Sequence, residues 1–303
     1  MLPGCLDALA AQSYRDFSAL VVDDCSTDDS VQLVERDSPW ARVLQVPRNL
    51  GFAGAVNAGI RATSAPYVAL LNSDAEARPE WLAELVSAIH RRPNVGWCAS
   101  KMVFPDGLIN SAGQMFLPEG HAVDIGFGEP DDGRFGEMRY VFGACGGAAL
   151  YRRLMLQAIG LFDEDFFLLV EDVDLNFRAQ LRGWRCLYVP RAEVVHRHAA
   201  TRSALGRRNW YHSARNSLYC LLKDLPASLW VKHLPAVLRY QWAAAFEWTA
   251  LGRWDVWMAA HLSLFTRLGR ILRQRADTQS HRRVSAAQLE RAFSPLPVER
   301  GDS

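Results

Sequence analysis

Short apolar runs alternate with amphipathic segments along the first hundred residues. Buried strands are predicted at 19–22, 42–46, 67–71 and 95–99. Helices are predicted between them at 28–36, 51–62 and 79–91. The last of these begins at Pro79, a residue favoured in the first turn of a helix. Strands that alternate with helices predict an α/β fold, in which a mostly parallel sheet has helices on both faces. Such sheets bind ligands beyond the carboxyl ends of their strands.

The pattern changes after residue 100. Residues 103–140 are rich in Gly, Pro, Asp and Glu, and they predict loops and short strands that cover the ligand edge of the sheet. Further strands are predicted at 140–142 and 186–189, and further helices at 148–159 and 171–181. From Trp210 the pattern is helical to about residue 275. We therefore expect an α/β domain at 1–204, a helical region at 205–275 and a loosely ordered tail at 276–303.

Charge divides the chain in the same place. The net charge of +1 conceals −8 over residues 1–200 and +9 over 201–303, and six of the ten tryptophans follow residue 200. Trp242, Trp248, Trp254 and Trp257 lie among arginines at helical spacing, which favours contact with an anionic membrane surface. The alternative is a helical subdomain packed on the α/β body with its arginines solvated. Nucleic acid is a weaker candidate, because no recognition motif accompanies the charge.

The lack of a recognisable targeting signal and the spacing of the cysteines indicate a cytoplasmic protein. The first residues lack the basic and apolar regions of a secretory signal. No apolar run approaches the roughly 20 residues that a transmembrane helix needs. The six cysteines never form a C-x-x-C pair, so neither a zinc ribbon nor a disulfide framework is indicated.

Polar motifs follow the first two predicted strands. Asp23 and Asp24 come directly after a strand, where carboxylates can accept hydrogen bonds from a nucleotide base and ribose, although helix capping explains the neighbouring Ser26–Asp29 equally well. The stretch from Asn49 to Gly59 has glycines at 51 and 54 that allow close approach of a ligand to a helix N-terminus. Tight packing of a helix on the sheet is the alternative, and no Walker A sequence follows.

Two further motifs offer oxygen ligands and a base. Asn72 and Asp74 follow the third strand, and their side chains suit Mg²⁺ or Mn²⁺, or else a turn before the next helix. An apolar run ends in Glu171 and Asp172, where a partly buried carboxylate can act as a general base, or can simply complement a helix dipole. His196 and His198 could complete a metal shell, although an isolated histidine is more often structural.

Taken together, six segments in order resemble successive motifs of family 2 glycosyltransferases with the GT-A fold, and especially the bacterial rhamnosyltransferase-like branch. The resemblance covers about residues 3–220. The segments are VVDDCSTDDS, NLGFAGAVNAGI, LLNSDAEA, GACGGAALYRR, FDEDFFLLVEDVDLNFR and YVPRAEVVH.

The resemblance implies a role for each motif. Asp172 corresponds to the catalytic base, with Glu171 beside it. Asp74 corresponds to the metal ligand of a D-x-D motif whose first position is Asn72 here, and His196 to a histidine that completes the metal shell in some relatives. The nucleotide-sugar donor is expected to contact Asp23, Asp24, Asn49, Gly51, Asn57, Asn72, Gly146 and Gly147.

The implied activity is inverting transfer of a sugar, with rhamnose as one candidate, from a nucleoside-diphosphate sugar to a hydroxyl of a cell-surface glycan or lipid-linked acceptor. The enzyme is expected to use Mg²⁺ or Mn²⁺ and to be peripheral on the inner face of the cell membrane. The alternatives are a non-catalytic nucleotide-sugar-binding or scaffold protein and, less favoured, a nucleotidyltransferase, which would be expected to have a basic Gly-rich loop near its N-terminus.

One departure from the family pattern concerns the N-terminus. Relatives usually begin with a strand of the type V-x-V-V-I-V-x-Y-N, whereas this chain begins at the helix that follows it, at 2–11. Loss of a central parallel strand would leave unpaired backbone groups on its neighbours. We expect that the true start lies upstream; the alternative is a damaged, inactive copy.

Overall fold

The structure, a computed structural model, describes residues 1–197 and 206–298, whose strands form one large sheet and two small ones. The helices are α1 (Leu2–Ala10), α2 (Ser30–Asp37), α3 (Gly51–Arg61), α4 (Trp81–His90), α5 (Arg153–Ile159), α6 (Glu171–Leu181), α7 (Arg207–Asp224), α8 (Ala227–Ala250), α9 (Trp254–Ser280) and α10 (Ala286–Arg291). The strands are β1 (Leu20–Asp23), β2 (Arg42–Gln45), β3 (Tyr67–Leu71), β4 (Ala75–Ala77), β5 (Val95–Val103), β6 (Ile109–Ser111), β7 (Gln114–Phe116), β8 (Ala122–Asp124), β9 (Arg139–Val141), β10 (Ala148–Arg152), β11 (Arg185–His196) and β12 (Leu296–Pro297).

The large sheet has the strand order β12–β9–β11–β5–β10–β3, with β4 paired to β11 and β6 paired to β5. Strands β5 and β11 are parallel, whereas β10 is antiparallel to both of its neighbours, β5 and β3. The expected α/β fold with C-terminal helices is therefore confirmed. The large sheet is mixed rather than mostly parallel.

The helix predicted at 148–159 is wrong over its first five residues, which form β10. Ala149 pairs with Leu70 on one side and with Ala99 on the other. The four residues from 148 to 151 are all buried, so their side chains show no alternation of apolar and polar positions. A short run buried on both faces cannot be distinguished from the start of a buried helix by periodicity.

Apolar clusters cover both faces of the large sheet. Alternate residues of a strand point to opposite faces. Trp97 and Tyr188 accordingly join a cluster that includes residues of α5 and α6. Cys98 and Leu187 join the cluster on the other face, which Trp81 of α4 covers. Because β5 and β11 are parallel, their carboxyl ends lie at the same edge of the sheet, whereas antiparallel β10 begins at that edge.

Strands β1 and β2 form a separate parallel pair. Helix α3 packs tightly against it, since a Cβ atom on Gly59 would lie 2.9 Å from the side chain of Val22. A small cluster built on Leu6, Val34 and Ala41 includes apolar residues of both strands. Within the described residues, no strand joins the free edge of β1 to the outer edge of β3.

The C-terminal helices pack onto the α/β body through α6. One apolar cluster contains Phe177 of α6, Tyr219 of α7 and Ile271 of α9. The cluster also holds Leu289 and Phe293, both at least 95% buried. The loose order predicted for 276–303 is therefore wrong over 276–298. In the part of the chain that the structure describes, no helix is long and apolar enough to cross a membrane.

Candidate active site

Strand pairing brings Asp74 and His196 together from positions 122 residues apart. His196 pairs with Ala75 in the β4–β11 ladder, so its imidazole Nε2 lies 3.2 Å from Asp74 Oδ1. Its Nδ1 is 2.9 Å from Asn110 Oδ1. With Nδ1 as the donor to Asn110, Nε2 presents its lone pair beside the Asp74 carboxylate. A histidine oriented in this way beside a carboxylate is typical of metal sites.

The donor set at this point fits a divalent cation. It offers one carboxylate and one imidazole, and Asn72 precedes them at the end of β3. Among the described residues there is no group of three or more His, Cys, Asp or Glu side chains that could hold a metal. Mg²⁺ commonly takes only one or two protein carboxylates and fills its remaining positions with water and substrate phosphates. His198 lies outside the described residues.

The predicted nucleotide-binding motifs meet at the end of β1. Asp24 Oδ1 accepts a hydrogen bond from the backbone N–H of Leu50 at 2.6 Å. Asn49 Oδ1 accepts one from the N–H of Gly51 at 3.3 Å, and Asn49 Nδ2 donates to the carbonyl of Asp24. Asp23 Oδ1 accepts a hydrogen bond from the N–H of Ser26 at 3.1 Å. Asp23, Asp24, Asn49 and Gly51 therefore lie together at the edge of the small sheet.

Asn57 is placed elsewhere and has a different role. It is 1% exposed, and its amide exchanges hydrogen bonds with the backbone of Phe162 at 2.8 and 3.0 Å. The same amide donates to Glu164 Oε1. The hydrogen-bonding groups of Asn57 therefore hold the segment that leads into α6, and the structure does not bring Asn57 together with Asp23, Asp24 and Asn49.

The loop of Gly146 and Gly147 connects the predicted base to the predicted metal motif. The N–H of Gly146 donates to Asp172 Oδ2 at 3.0 Å, while the carbonyl of Gly147 accepts from the N–H of Asn72 at 2.8 Å. A Cβ atom on Gly146 would meet the Phe52 ring at 3.3 Å and the Asp172 Cβ at 3.5 Å. The loop thus lies between the predicted base, Asp172, and Asn72 of the predicted metal motif, and these residues define the candidate cleft.

The carboxylates at the start of α6 differ in environment. Burial raises the pKa of Asp172, against the effect of hydrogen bonds from Gly146, Val173 and Gln114. Burial and the charge of Asp172 raise the pKa of Glu171 to about 8, and Glu171 Oε2 has no hydrogen-bond partner among the described residues. Burial and the neighbouring charge therefore favour the protonated form of Glu171, which makes Asp172 the better candidate for the base.

Asp174 faces away from the cleft. It forms buried ion pairs with Arg178 and with Lys223 of α7. Burial raises its pKa, but these two cations outweigh burial and lower the pKa to about 2. This residue therefore anchors α6 to the C-terminal helices.

Asp124 is a carboxylate of the cleft that sequence reasoning missed. It is cross-strand partner to Gln114 in the β7–β8 pair, and its Oδ1 accepts a hydrogen bond from Ser111 Oγ at 2.8 Å. Gln114 Nε2 also donates to Asp172 Oδ2 at 3.3 Å. Burial, together with the charge of Asp172, raises the pKa of Asp124 to about 7. Strands of three residues are too short to show a period of two, so only the acidic composition of 103–140 could have indicated it.

The segment before α6 has an unusual backbone that α7 holds in place. Phe167, Leu169 and Val170 all have positive φ, at 64°, 69° and 71°. Asn216 Nδ2 donates to three carbonyl groups of this segment, those of residues 166, 168 and 169, at 2.7 to 2.9 Å. Arg215 donates to the carbonyls of residues 165 and 166. The C-terminal helices therefore determine how Glu171 and Asp172 are presented.

Comparisons with known proteins identify the family to which this chain is similar. The family model for Glycosyl transferase family 2 matches residues 1–160. The chain is 31% identical to N-acetylglucosaminyl-diphospho-decaprenol L-rhamnosyltransferase of Mycobacterium tuberculosis, over 77% of this chain and 83% of that protein. It is 30% identical to O-antigen biosynthesis protein RfbC of Myxococcus xanthus, over 66% of this chain and 16% of that protein.

Solved structures share the fold. Residues 1–349 of S. aureus TarS in complex with UDP-GlcNAc superpose with a TM-score of 0.56 at 18% identity, covering 96% of this chain and 85% of that one. GalNAc-T7 with UDP, GalNAc and Mn²⁺ superposes with a TM-score of 0.57 at 13% identity, covering 73% of this chain and 44% of that one.

Proposed function

This chain belongs to glycosyl transferase family 2, and from that premise we propose that it transfers a sugar from a nucleoside-diphosphate sugar to a hydroxyl group of a lipid-linked glycan. The observation that carries the proposal is the Gly146–Gly147 loop, whose two peptide groups bond to Asp172 on one side and to Asn72 on the other. A base and a diphosphate-binding end within one cleft are what a displacement at an anomeric carbon needs.

The donor is proposed to lie across the edges of the two sheets. Asp23 and Asp24 accept hydrogen bonds from the base and ribose at the end of β1. Asp74 and His196, at the edge of the large sheet, hold Mg²⁺ or Mn²⁺. The bound ion supplies charge neutralisation for the nucleoside diphosphate as it leaves. The TarS and GalNAc-T7 structures named above, which contain a nucleotide or nucleotide sugar, support this class of donor.

We propose a single displacement with inversion. Asp172 accepts the proton of the acceptor hydroxyl while that oxygen forms a bond to the anomeric carbon and the bond to the diphosphate oxygen breaks. The Gly146 N–H fixes the Asp172 carboxylate. Burial keeps the pKa of Asp172 above its ordinary value, which makes the ionised carboxylate a stronger base. Asp124, opposite Asp172 across the Gln114 amide, is positioned to hydrogen-bond sugar hydroxyls.

The acceptor proposal rests on the mycobacterial relative, whose name specifies a diphospho-decaprenol carrier. We propose a lipid-linked glycan as the acceptor and rhamnose as the sugar, with the enzyme working at the inner face of the cell membrane. A polyprenyl chain stays in the bilayer, so the acceptor hydroxyl is presented at the membrane surface.

The test is turnover of a panel of nucleotide sugars with Mn²⁺ or Mg²⁺, measured as released nucleoside diphosphate with and without a lipid-linked acceptor. Asp172→Asn is expected to abolish turnover and keep nucleotide binding. Asp74→Ala is expected to abolish turnover and weaken Mn²⁺ binding measured by electron paramagnetic resonance. Asp37→Asn, at an exposed carboxylate on α2, is the matched control.

The outcomes separate catalysis from binding. Loss of turnover in both site variants with normal turnover in the control supports the transferase. Binding of a nucleotide sugar without turnover of any donor would instead favour the non-catalytic binding protein. Turnover that survives Asp172→Asn would show that another group is the base.

A further inference from the structure

Exposed apolar side chains are concentrated on two helices. Of the sixteen large apolar side chains exposed among the described residues, twelve lie between Val231 and Leu272, on α8, on α9 and in the turn between them. Soluble proteins rarely expose a contiguous apolar patch of this extent unless it is an interaction site. The distribution is therefore a property of this part of the molecule rather than of its whole surface.

On α8 these side chains form one stripe. Val231, Leu234, Leu238, Trp242 and Phe246 follow one another at spacings of three and four residues, which keeps them on one face of a helix. Val231, Trp242 and Phe246 are 79%, 68% and 72% exposed. The stripe runs along about 22 Å of the helix, at 1.5 Å per residue.

Helix α9 carries a second stripe. Leu262, Phe265, Leu268 and Leu272 repeat at spacings of three and four, and Phe265 is 73% exposed. Trp254 begins the helix on the same face, eleven residues before Phe265. Three residues separate α8 from α9, so the two stripes belong to neighbouring helices.

The opposite faces of both helices are already used for packing. Leu229 and Val237 of α8, and Leu264 and Ile271 of α9, are buried in the cluster shared with α6 and α7. The exposed stripes therefore lie on the faces of α8 and α9 that do not contribute to this core cluster. Trp248 and Trp257, which the sequence grouped with the exposed tryptophans, are half-buried, and Trp248 packs on Trp210.

The charge of this region indicates the partner. From 227 to 280, α8, α9 and their connection carry seven Lys or Arg residues and three Asp or Glu residues. Four of these cations pair with Glu119, Asp165 or Glu290 elsewhere in the chain, which leaves Arg253, Arg273 and Arg275 without a carboxylate partner in an ion pair with the described residues. Amphipathic helices with aromatic residues on the apolar face and a cationic excess bind anionic lipid surfaces. A second copy of this chain would bring the same positive charge against itself, which disfavours self-association through this face.

We propose that the stripes of α8 and α9 insert into the interfacial region of an anionic phospholipid bilayer and hold the enzyme on it. The proposal deepens the proposed function, because a lipid-linked acceptor lies in that bilayer. Two sets of contacts connect these two helices to the elements that form the cleft. Tyr240 of α8 stacks on His121, with ring centroids 4.4 Å apart, and α9 packs along α7, which holds the segment before Asp172.

The test is co-sedimentation of the full chain with vesicles of phosphatidylcholine, with or without 30% phosphatidylglycerol (roughly the anionic content that attracts basic segments). The variant is Trp242→Ser/Phe246→Ser/Phe265→Ser, and the matched control is Trp40→Ser, at an exposed tryptophan near the small sheet. Circular dichroism and thermal melting check the fold of each protein. Donor hydrolysis without a lipid acceptor reports the catalytic site separately.

Wild type and the control are expected to bind the anionic vesicles at least about tenfold more strongly than the triple variant, with weaker binding at high salt. Donor hydrolysis by the triple variant should equal that of wild type. Equal sedimentation of the triple variant, or no binding by wild type, would overturn the membrane proposal whatever the hydrolysis assay shows. A wild-type dimer in analytical ultracentrifugation that the triple variant abolishes would assign the stripes to a second copy instead.

Discussion

Asn216 offers a direct test of whether the C-terminal helices set the geometry of the catalytic base. Its amide donates to the carbonyls of Phe166, Leu168 and Leu169, within a segment that contains three residues of positive φ. Asn216→Ala removes the two N–H groups that these three carbonyls share and leaves the backbone of β-branched and bulky residues in an unfavourable region. The change lies outside the cleft, so it touches neither substrate nor metal.

The size of the effect follows from the bonds lost. A net contribution of about 1 kcal/mol for each of the two N–H groups gives about 2 kcal/mol for the segment. Each non-glycine residue in the left-handed region costs about 1–2 kcal/mol, which favours relaxation once the bonds are gone. Since 1.4 kcal/mol is about tenfold in population, the arrangement that presents Asp172 should become about 30-fold rarer, and kcat should fall accordingly.

The assay is steady-state release of nucleoside diphosphate over a range of donor concentrations, with calorimetric binding of the nucleoside diphosphate alongside it. Donor affinity should change much less than kcat, because Asp23, Asp24 and Asp74 make no contact with Asn216. Asn209→Ala on the same helix is the control, since the side-chain amide of Asn209 makes no hydrogen bond with the described residues, and its backbone N–H bond to the carbonyl of Gly206 is kept in the variant.

A normal kcat in Asn216→Ala with a lowered melting temperature would refute the reasoning. In that case the amide stabilises the fold without governing the base. Equal losses of nucleotide affinity and kcat would also refute it, because they would indicate disruption of the whole cleft.

Other expectations concern protonation and close packing. The raised pKa of Glu171, about 8, means that the folded protein keeps a proton that the unfolded chain releases near pH 4.3, so stability falls as the pH rises between these values. Glu171→Gln should therefore gain melting temperature relative to wild type between pH 5 and pH 8, by scanning calorimetry. Gly51 has φ of 69° and a Cβ there would lie 2.4 Å from the Phe167 carbonyl oxygen, so Gly51→Ala should weaken nucleotide binding about tenfold, by calorimetry.

The parts of the site predicted from sequence are those where a polar motif follows an apolar strand. Asp23, Asp24, Asn72 and Asp74 lie at the ends of β1 and β3 or within three residues of them, although both strands are only partly buried. The apolar run of a strand fixes its register, and the residues that follow it must then emerge at the edge of the sheet. The polar motif and the apolar pattern of the strand before it therefore indicated the same edge of the sheet independently.

The rest depended on tertiary contacts that leave no local signal. Asp124 reaches the cleft through strands of three residues, and β10 is a strand because sheet neighbours bury it on both sides. Asn57 sits in a helix motif, but its amide bonds to a segment more than a hundred residues away. The order of the last residues comes from Leu289 and Phe293, whose burial depends on helices earlier in the chain.

The separation of β1–β2 from the large sheet has a consequence for local unfolding. Only β2 pairs with β1 among the described strands, so we expect its amide hydrogens to exchange through openings that leave the large sheet intact. A nucleotide held by Asp24 on one sheet and through Asp74 on the other would bridge two units of different stability. At a concentration 100 times its dissociation constant, it should slow the exchange of the β1 amides by the equivalent of about 2.7 kcal/mol. Donor binding would then be measurable as slower hydrogen exchange of the amides in the small sheet.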